Sequence, residues 1–152
     1  MNTEFLNEKK EKAKKIYDTL KNIYNPYLKN QIIFNSDGFH HFQFSARRER
    51  NQEEQLLKFS LLPLAIDVIK NAGTLQEYRK KIITVGNKGK DGFTKTKEAQ
   101  YWGFVAIVGK SQIKIKVIIR KVGDGNFTFW SVMPNLKLKG NQKLYTDDIE
   151  DG

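Results

Sequence analysis

Gly38-Phe-His-His-Phe-Gln-Phe-Ser-Ala-Arg-Arg-Glu-Arg50 is the stretch on which the reading of this chain turns. It holds both histidines and three of the five arginines. Its aromatic and polar residues alternate with the period of two that marks a strand. Ser36-Asp37-Gly38 precedes it, and an apolar run at 31–35 lies before that. Asp-Gly between two such runs is a hairpin signal. The expectation is a β-hairpin with strands at 31–35 and 39–45. On that strand Phe39, His41, Gln43 and Ser45 share one face, while His40, Phe42 and Phe44 share the other. Only one histidine then faces any given site. His41 falls with the polar residues, and His40 falls to a structural role.

The flanking segments give the hairpin its context. Leu6, Ala13, Ile16, Leu20 and Ile23 recur at helical spacing, which predicts a helix over 3–24 that ends before Asn25-Pro26. Asn51 with Glu54 three residues on resembles a capping box and opens a second helix. Its expected buried stripe is Leu57, Leu61, Leu64 and Val68. Pro63 is expected to kink it or split it into 52–61 and 63–72, and Gly73 suits its end. A short helix is expected over 75–81. A polar, glycine-bearing loop then covers 86–100, and strands are expected at 101–108, 112–122 and 127–133. The fold class is α+β: an N-terminal helix, a β-hairpin, a kinked helix, then a three-stranded antiparallel meander forming a curved sheet with helices on one face. Three segments follow from this: the helix at 1–28, packed on or appended to the domain; an α+β body at 29–136; and an acidic tail at 137–152, read as disordered.

Composition narrows the function. The 152 residues carry a net charge of +10, with a pI near 9.7. Asp147, Asp148, Glu150 and Asp151 cluster in the tail, so the rest is more basic than the total implies. A basic body calls for an acidic partner, most simply a nucleic-acid backbone. There is no cysteine, which excludes thiolate chemistry and disulfides. No apolar run approaches the roughly 20 residues needed to span a bilayer, and the first residues have no apolar signal segment. The expected location is the cytoplasm, with no membrane partner. Two adjacent histidines on opposite strand faces cannot share one ion, so no metal and no other cofactor is expected. The 86–100 loop lacks the Gly-x-x-x-x-Gly-Lys-Ser/Thr phosphate motif, and Ser131 has no nucleophile elbow around it.

Metal-free acid–base chemistry on RNA remains among the enzymatic options. It needs a group to take the ribose 2′-hydroxyl proton, cations for the phosphorane, and a donor for the leaving oxygen. His41 is the candidate acid or base. Arg47, Arg48 or Arg50 would hold charge, and Lys58 would reach the same cleft. Lys88, Lys90, Lys95, Lys97, Lys116 and Arg120 are candidate phosphate contacts. Tyr101, Trp102 and Trp130 are candidates for stacking on unpaired bases. The non-catalytic alternatives are a basic nucleic-acid-binding protein and a module that binds an acidic protein.

Four stretches together carry a resemblance: Phe39-His-His-Phe-Gln-Phe-Ser-Ala-Arg-Arg48, Leu61-Leu-Pro-Leu-Ala-Ile66, Ile115-Lys-Val-Ile-Ile-Arg120 and Asn126-Phe-Thr-Phe-Trp-Ser-Val132. Their order is similar to that of the barnase–EndoU–colicin–RelE group of metal-independent ribonucleases, in particular its phage-associated members. The resemblance implies a curved four-stranded antiparallel sheet whose open face cleaves RNA. It implies a toxin or a phage or mobile-element effector, with an acidic antitoxin or immunity protein as a possible partner. His41 would then match the catalytic histidine, Arg48 or Arg47 the phosphate-holding arginine, and Ser131 the terminal hydroxyl. The strand at 101–108 carries no acidic residue to serve as the base.

Overall fold

The computed structural model describes residues 3–44, 49–71, 75–85, 95–108 and 113–134. The chain runs α1 (Thr3–Leu20), β1 (Asn22–Asn25), β2 (Asn30–Ile33), α2 (Ser36–Gln43), α3 (Gln52–Asn71), β3 (Glu77–Val85), β4 (Lys95–Val108), β5 (Ile113–Val122) and β6 (Thr128–Pro134). It is α+β, with one six-stranded sheet in the order β1-β2-β6-β5-β4-β3. All neighbours are antiparallel except β2 and β6, which run parallel and meet at Ile33↔Thr128. The expected tail at 137–152 lies outside the described residues.

The largest correction falls on the opening stretch. Residues 36–43 are helix, not the second strand of a hairpin. Asn35 decides this: its backbone is extended and its side-chain oxygen accepts from the Gly38 N–H at 3.1 Å, as an N-cap does. Over so few residues, periods of two and 3.6 select overlapping positions. Gly38, His41 and Phe42 are buried, at i, i+3 and i+4. The structure also inverts the expected histidine orientations. His41 is 4% exposed, while His40 is exposed and stacks on Phe44 with centroids 4.5 Å apart.

Other boundaries moved for local reasons. α1 stops at Leu20 because Lys21 takes φ +60°, and Ile23 enters a strand instead. Asn25-Pro26 opens the β1–β2 turn. The Asn25 side chain accepts from Leu28 N–H at 2.9 Å and donates to the Ile69 carbonyl at 2.8 Å, tying that turn to α3. Helix α3 runs unbroken through Pro63, which sits on its exposed side. Asn51 caps it, with the Glu54 N–H on Asn51 Oδ1 at 2.9 Å, which is the first half of the expected capping box. Its fully buried residues are Lys58, Leu62, Ala65 and Ile69, so Leu57 and Leu64 lie beside the stripe. The helix expected over 75–81 is instead strand β3, paired with β4 from Glu77↔Gly103 to Val85↔Lys95. Strand β4 thereby extends six residues into the expected loop.

The helices and the sheet share one core. Leu6, Ala13 and Tyr17 of α1 pack with Phe42 of α2, with Phe59 and Leu62 of α3, and with Trp102, Val117 and Phe129 of the sheet. The opposite side of the sheet holds a smaller cluster of strand residues only: Ala99, Tyr101, Ile118 and Met133, with Ile83, Val122 and Trp130 beside them. Among the described residues no helix is long and apolar enough to cross a membrane.

Tyr17 sits among Phe34, Phe39, Phe42 and Phe129, with ring centroids 5.3–6.2 Å away. Its hydroxyl is buried without a hydrogen-bond partner, and burial pushes its pKa well above the ordinary tyrosine value. The unfolded chain then loses this proton at lower pH than the folded one. The neutral phenol's contribution is intact below about pH 10 and declines as pH rises from there through the folded value. Tyr17→Phe is expected to raise stability by about 1 kcal/mol at neutral pH. It should also flatten the alkaline fall, read by urea unfolding between pH 7 and 11.

Candidate nucleic-acid interface

Cross-strand partners project to the same side of a sheet, and successive residues to opposite sides. The registers of β3, β4 and β5 therefore sort every side chain. Trp102, Ile119 and Phe129 go to the helix side. The strand-only side carries Arg79, Tyr101 and Arg120 in one row, Lys81, Ala99 and Val122 in the next, then Ile83 with Lys97, and Lys95 beyond it. Toward the other end come Glu77 with Gly103 and Ile118, then Lys116, then Lys114. Among the described residues of β3–β5, this side holds seven cations and one carboxylate. Glu77, the one carboxylate among those strand residues, lies 2.7 Å from Lys116 Nζ. Arg79, Lys81, Lys95, Lys97 and Lys114 are exposed.

At its β6 side the face ends in a stack. Ile118 pairs with Ser131 and Ile119 with Phe129, so Trp130 is the extra residue of a β-bulge. A bulge re-aims a side chain without interrupting the strand. The Trp130 ring meets the His41 ring at 4.2 Å and 20°, and the Arg120 guanidinium carbon lies 4.0 Å from the Trp130 centroid.

Beneath the stack, a buried polar network closes the edge of β6. Past Thr128 this strand has no described strand partner on its outer side, and α2 takes that place. A Cβ at Gly38 would collide with the Phe129 carbonyl oxygen, so only glycine allows so close an approach. Lys58 of α3 is 1% exposed and donates to Ser131 Oγ at 2.7 Å and to the Val132 carbonyl at 3.0 Å. Arg50, also buried, donates through Nε to the His41 carbonyl at 2.9 Å and lies 3.1 Å from His41 Nε2. Guanidinium can only donate. In this geometry His41 Nε2 is an acceptor, which fits a neutral ring with its proton on Nδ1. Glu54 lies 3.5 Å from the other side of Arg50.

The expected site residues thus divide. His41, Arg50, Lys58 and Ser131 gather along the β6 edge, all buried. Lys95, Lys97, Lys116 and Arg120 stand together on the strand-only face. Arg47, Arg48, Lys88 and Lys90 lie outside the described residues. Trp102 points into the main core, while Tyr101 and Trp130 belong to the strand-only side. Arg79, Lys81 and Lys114 were missed as members of this face. The alternation of Arg79, Lys81 and Ile83 carries the signal for the first two, and the strand expected at 112–122 already contained the third. Among the described residues, no three His, Asp or Glu side chains converge to hold a metal ion. Comparison with protein-family models, with curated proteins and with solved structures returns no match to this chain.

Proposed function

We infer that this protein binds single-stranded nucleic acid, most simply RNA, on the strand-only side of its sheet. The carrying observation is charge: among the described residues of β3–β5, seven cations and one carboxylate lie on that side. Phosphates neutralised by such a face release condensed counterions, which drives association. Shape supports a single strand. Four strands about 4.8 Å apart make a face about 14 Å wide, too broad to enter the roughly 12 Å major groove of a DNA duplex. A flexible strand can instead lie across it.

Binding fits the geometry better than cleavage. A general base must reach the 2′-hydroxyl proton within hydrogen-bond distance. The His41 ring is enclosed between Trp130 and Arg50, and Ser131 Oγ is buried against Lys58. These groups hold β6 in place, and through it Trp130 at the margin of the face.

The test uses a labelled ten-nucleotide RNA in EDTA. Five exposed cations imply a log–log salt slope of about −3 to −4, or an affinity loss of roughly a hundredfold between 50 and 200 mM salt. The RNA should be recovered intact, and a duplex of equal length should bind more weakly. Salt-independent binding, or no binding at low salt, would overturn the reading. Cleavage that disappears in His41→Ala would replace it with the ribonuclease reading.

A further inference from the structure

A cleft of about 190 Å³ opens where this face meets the turn between β5 and β6. Arg120, Trp130, Thr128, Asn126 and Asn35 line it, and among the described residues no carboxylate does. The Arg120 guanidinium lies against two rings: its carbon is 4.0 Å from the Trp130 centroid and 5.9 Å from that of Tyr101. Its Nε is buried with no hydrogen-bond partner among the described residues. Stacking engages the flat face of a guanidinium and leaves its in-plane N–H groups for an acceptor. Those groups match phosphate oxygens in spacing and charge. Asn35 adds to the donor set. Its side-chain oxygen is already engaged by the Gly38 N–H, so its amide group is the end left over. Asn126 and Thr128 contribute further neutral polar groups.

We propose that this cleft is a binding site for a phosphoryl group and anchors one phosphate of a bound strand. The anchoring role rests on the nucleic-acid reading above; the phosphoryl site itself does not. A single oriented phosphate contact at the margin of a diffuse basic face would set where a strand begins and in which direction it crosses.

The first measurement is the Arg120 Nε–H resonance in ¹⁵N-labelled protein, assigned by its loss in Arg120→Lys. Titration with inorganic phosphate should shift it saturably, and chloride at equal ionic strength should not. Asn126→Asp places a carboxylate in the cleft from an exposed turn position and should weaken phosphate binding at least about tenfold. An equal response to both anions, or an unchanged phosphate affinity in Asn126→Asp, would overturn the site.

The second measurement compares ten-nucleotide RNAs with a 5′-phosphate or a 5′-hydroxyl. A preference of about tenfold for the 5′-phosphate, lost in Arg120→Lys, assigns the site to a strand end. Equal affinities, both reduced about tenfold by Arg120→Lys but less by Lys114→Gln, assign it to an internal phosphodiester. If Arg120→Lys costs no more than Lys114→Gln, the anchoring role is wrong while RNA binding stands. If phosphate shifts Arg120 but no RNA binds, the nucleic-acid reading fails and the phosphoryl site stands.

Discussion

The combined reversal Arg79→Glu, Lys81→Glu and Lys97→Glu should reduce RNA affinity by about a thousandfold at physiological salt. The size follows from counterion release. For single strands each lost phosphate contact lowers log K by about 0.7 per decade of salt, or roughly 0.8 kcal/mol at 0.15 M. Reversal adds a repulsion of similar size to each loss, so three positions amount to about 4–5 kcal/mol. All three side chains are exposed and lie on the same side of β3 and β4. Their replacement should leave the melting temperature within a few degrees of the parent, because exposed surface charges and their ion pairs contribute little to stability. The matched control reverses Lys9, Lys12 and Lys15 on α1, a set of equal charge far from the strand-only side in the topology. If the control loses as much affinity as the β3–β4 set, binding follows net charge alone and the assigned face is wrong.

Lys58→Ala is expected to destabilise the fold by about 3–5 kcal/mol. A buried ammonium is tolerated only when hydrogen bonds replace its water, and Ser131 Oγ and the Val132 carbonyl do part of that. Alanine removes the donor and also empties the space filled by the three methylenes beyond Cβ. Lys58→Met keeps most of that volume and removes only the charge, so its cost should be closer to 1 kcal/mol. Urea unfolding at neutral pH decides between them, with midpoints compared at equal slopes. A methionine variant as unstable as the alanine variant would mean that the charge and its hydrogen bonds, not the volume, dominate. Both variants should retain RNA binding at temperatures where they are folded, because Lys58 is buried against Ser131 and Val132 and is not one of the exposed cations of the strand-only face. A folded Lys58→Met that no longer handles RNA would return this lysine to the catalytic role that its sequence position suggested.

The sequence pattern of this chain is explicit for some elements and ambiguous for others. The Asn51–Glu54 cap, the burial of Val68 and the last three strands follow from patterns long enough to be unambiguous. The 36–43 helix does not. Eight residues do not separate a period of two from one of 3.6, and Asp-Gly spoke for a turn, while the cap that Asn35 forms shows only in the structure. That misreading carried the histidines with it, since on a strand His41 goes with Gln43 and Ser45, and on the helix it goes with Gly38 and Phe42. Strand β3 was hidden for another reason. Glu77-Tyr-Arg-Lys-Lys81 is polar enough for an exposed helix, and only its ladder to β4 makes it a strand. The basic face was therefore half legible: Lys95, Lys97, Lys116 and Arg120 announce themselves by charge, and Arg79 and Lys81 only by register. The Trp130 bulge left no trace in the residue pattern, because an extra residue on one strand is defined by its partner.

The parallel contact between β2 and β6 also fixes an order of events during synthesis. Ile33 pairs with Thr128, and Lys58 bonds Ser131, 73 residues further along the chain. The apolar faces of α1, α2 and α3 are made first, yet the sheet that covers them is completed only by β6. Chain emerges from the ribosome at about 5–20 residues per second, and contacts of such long sequence separation form slowly. For several seconds the first 71 residues carry an uncovered core, including the Tyr17, Phe34, Phe39 and Phe42 rings. A chain truncated before Thr128 would keep its basic strands and lose the element that closes its hydrophobic half.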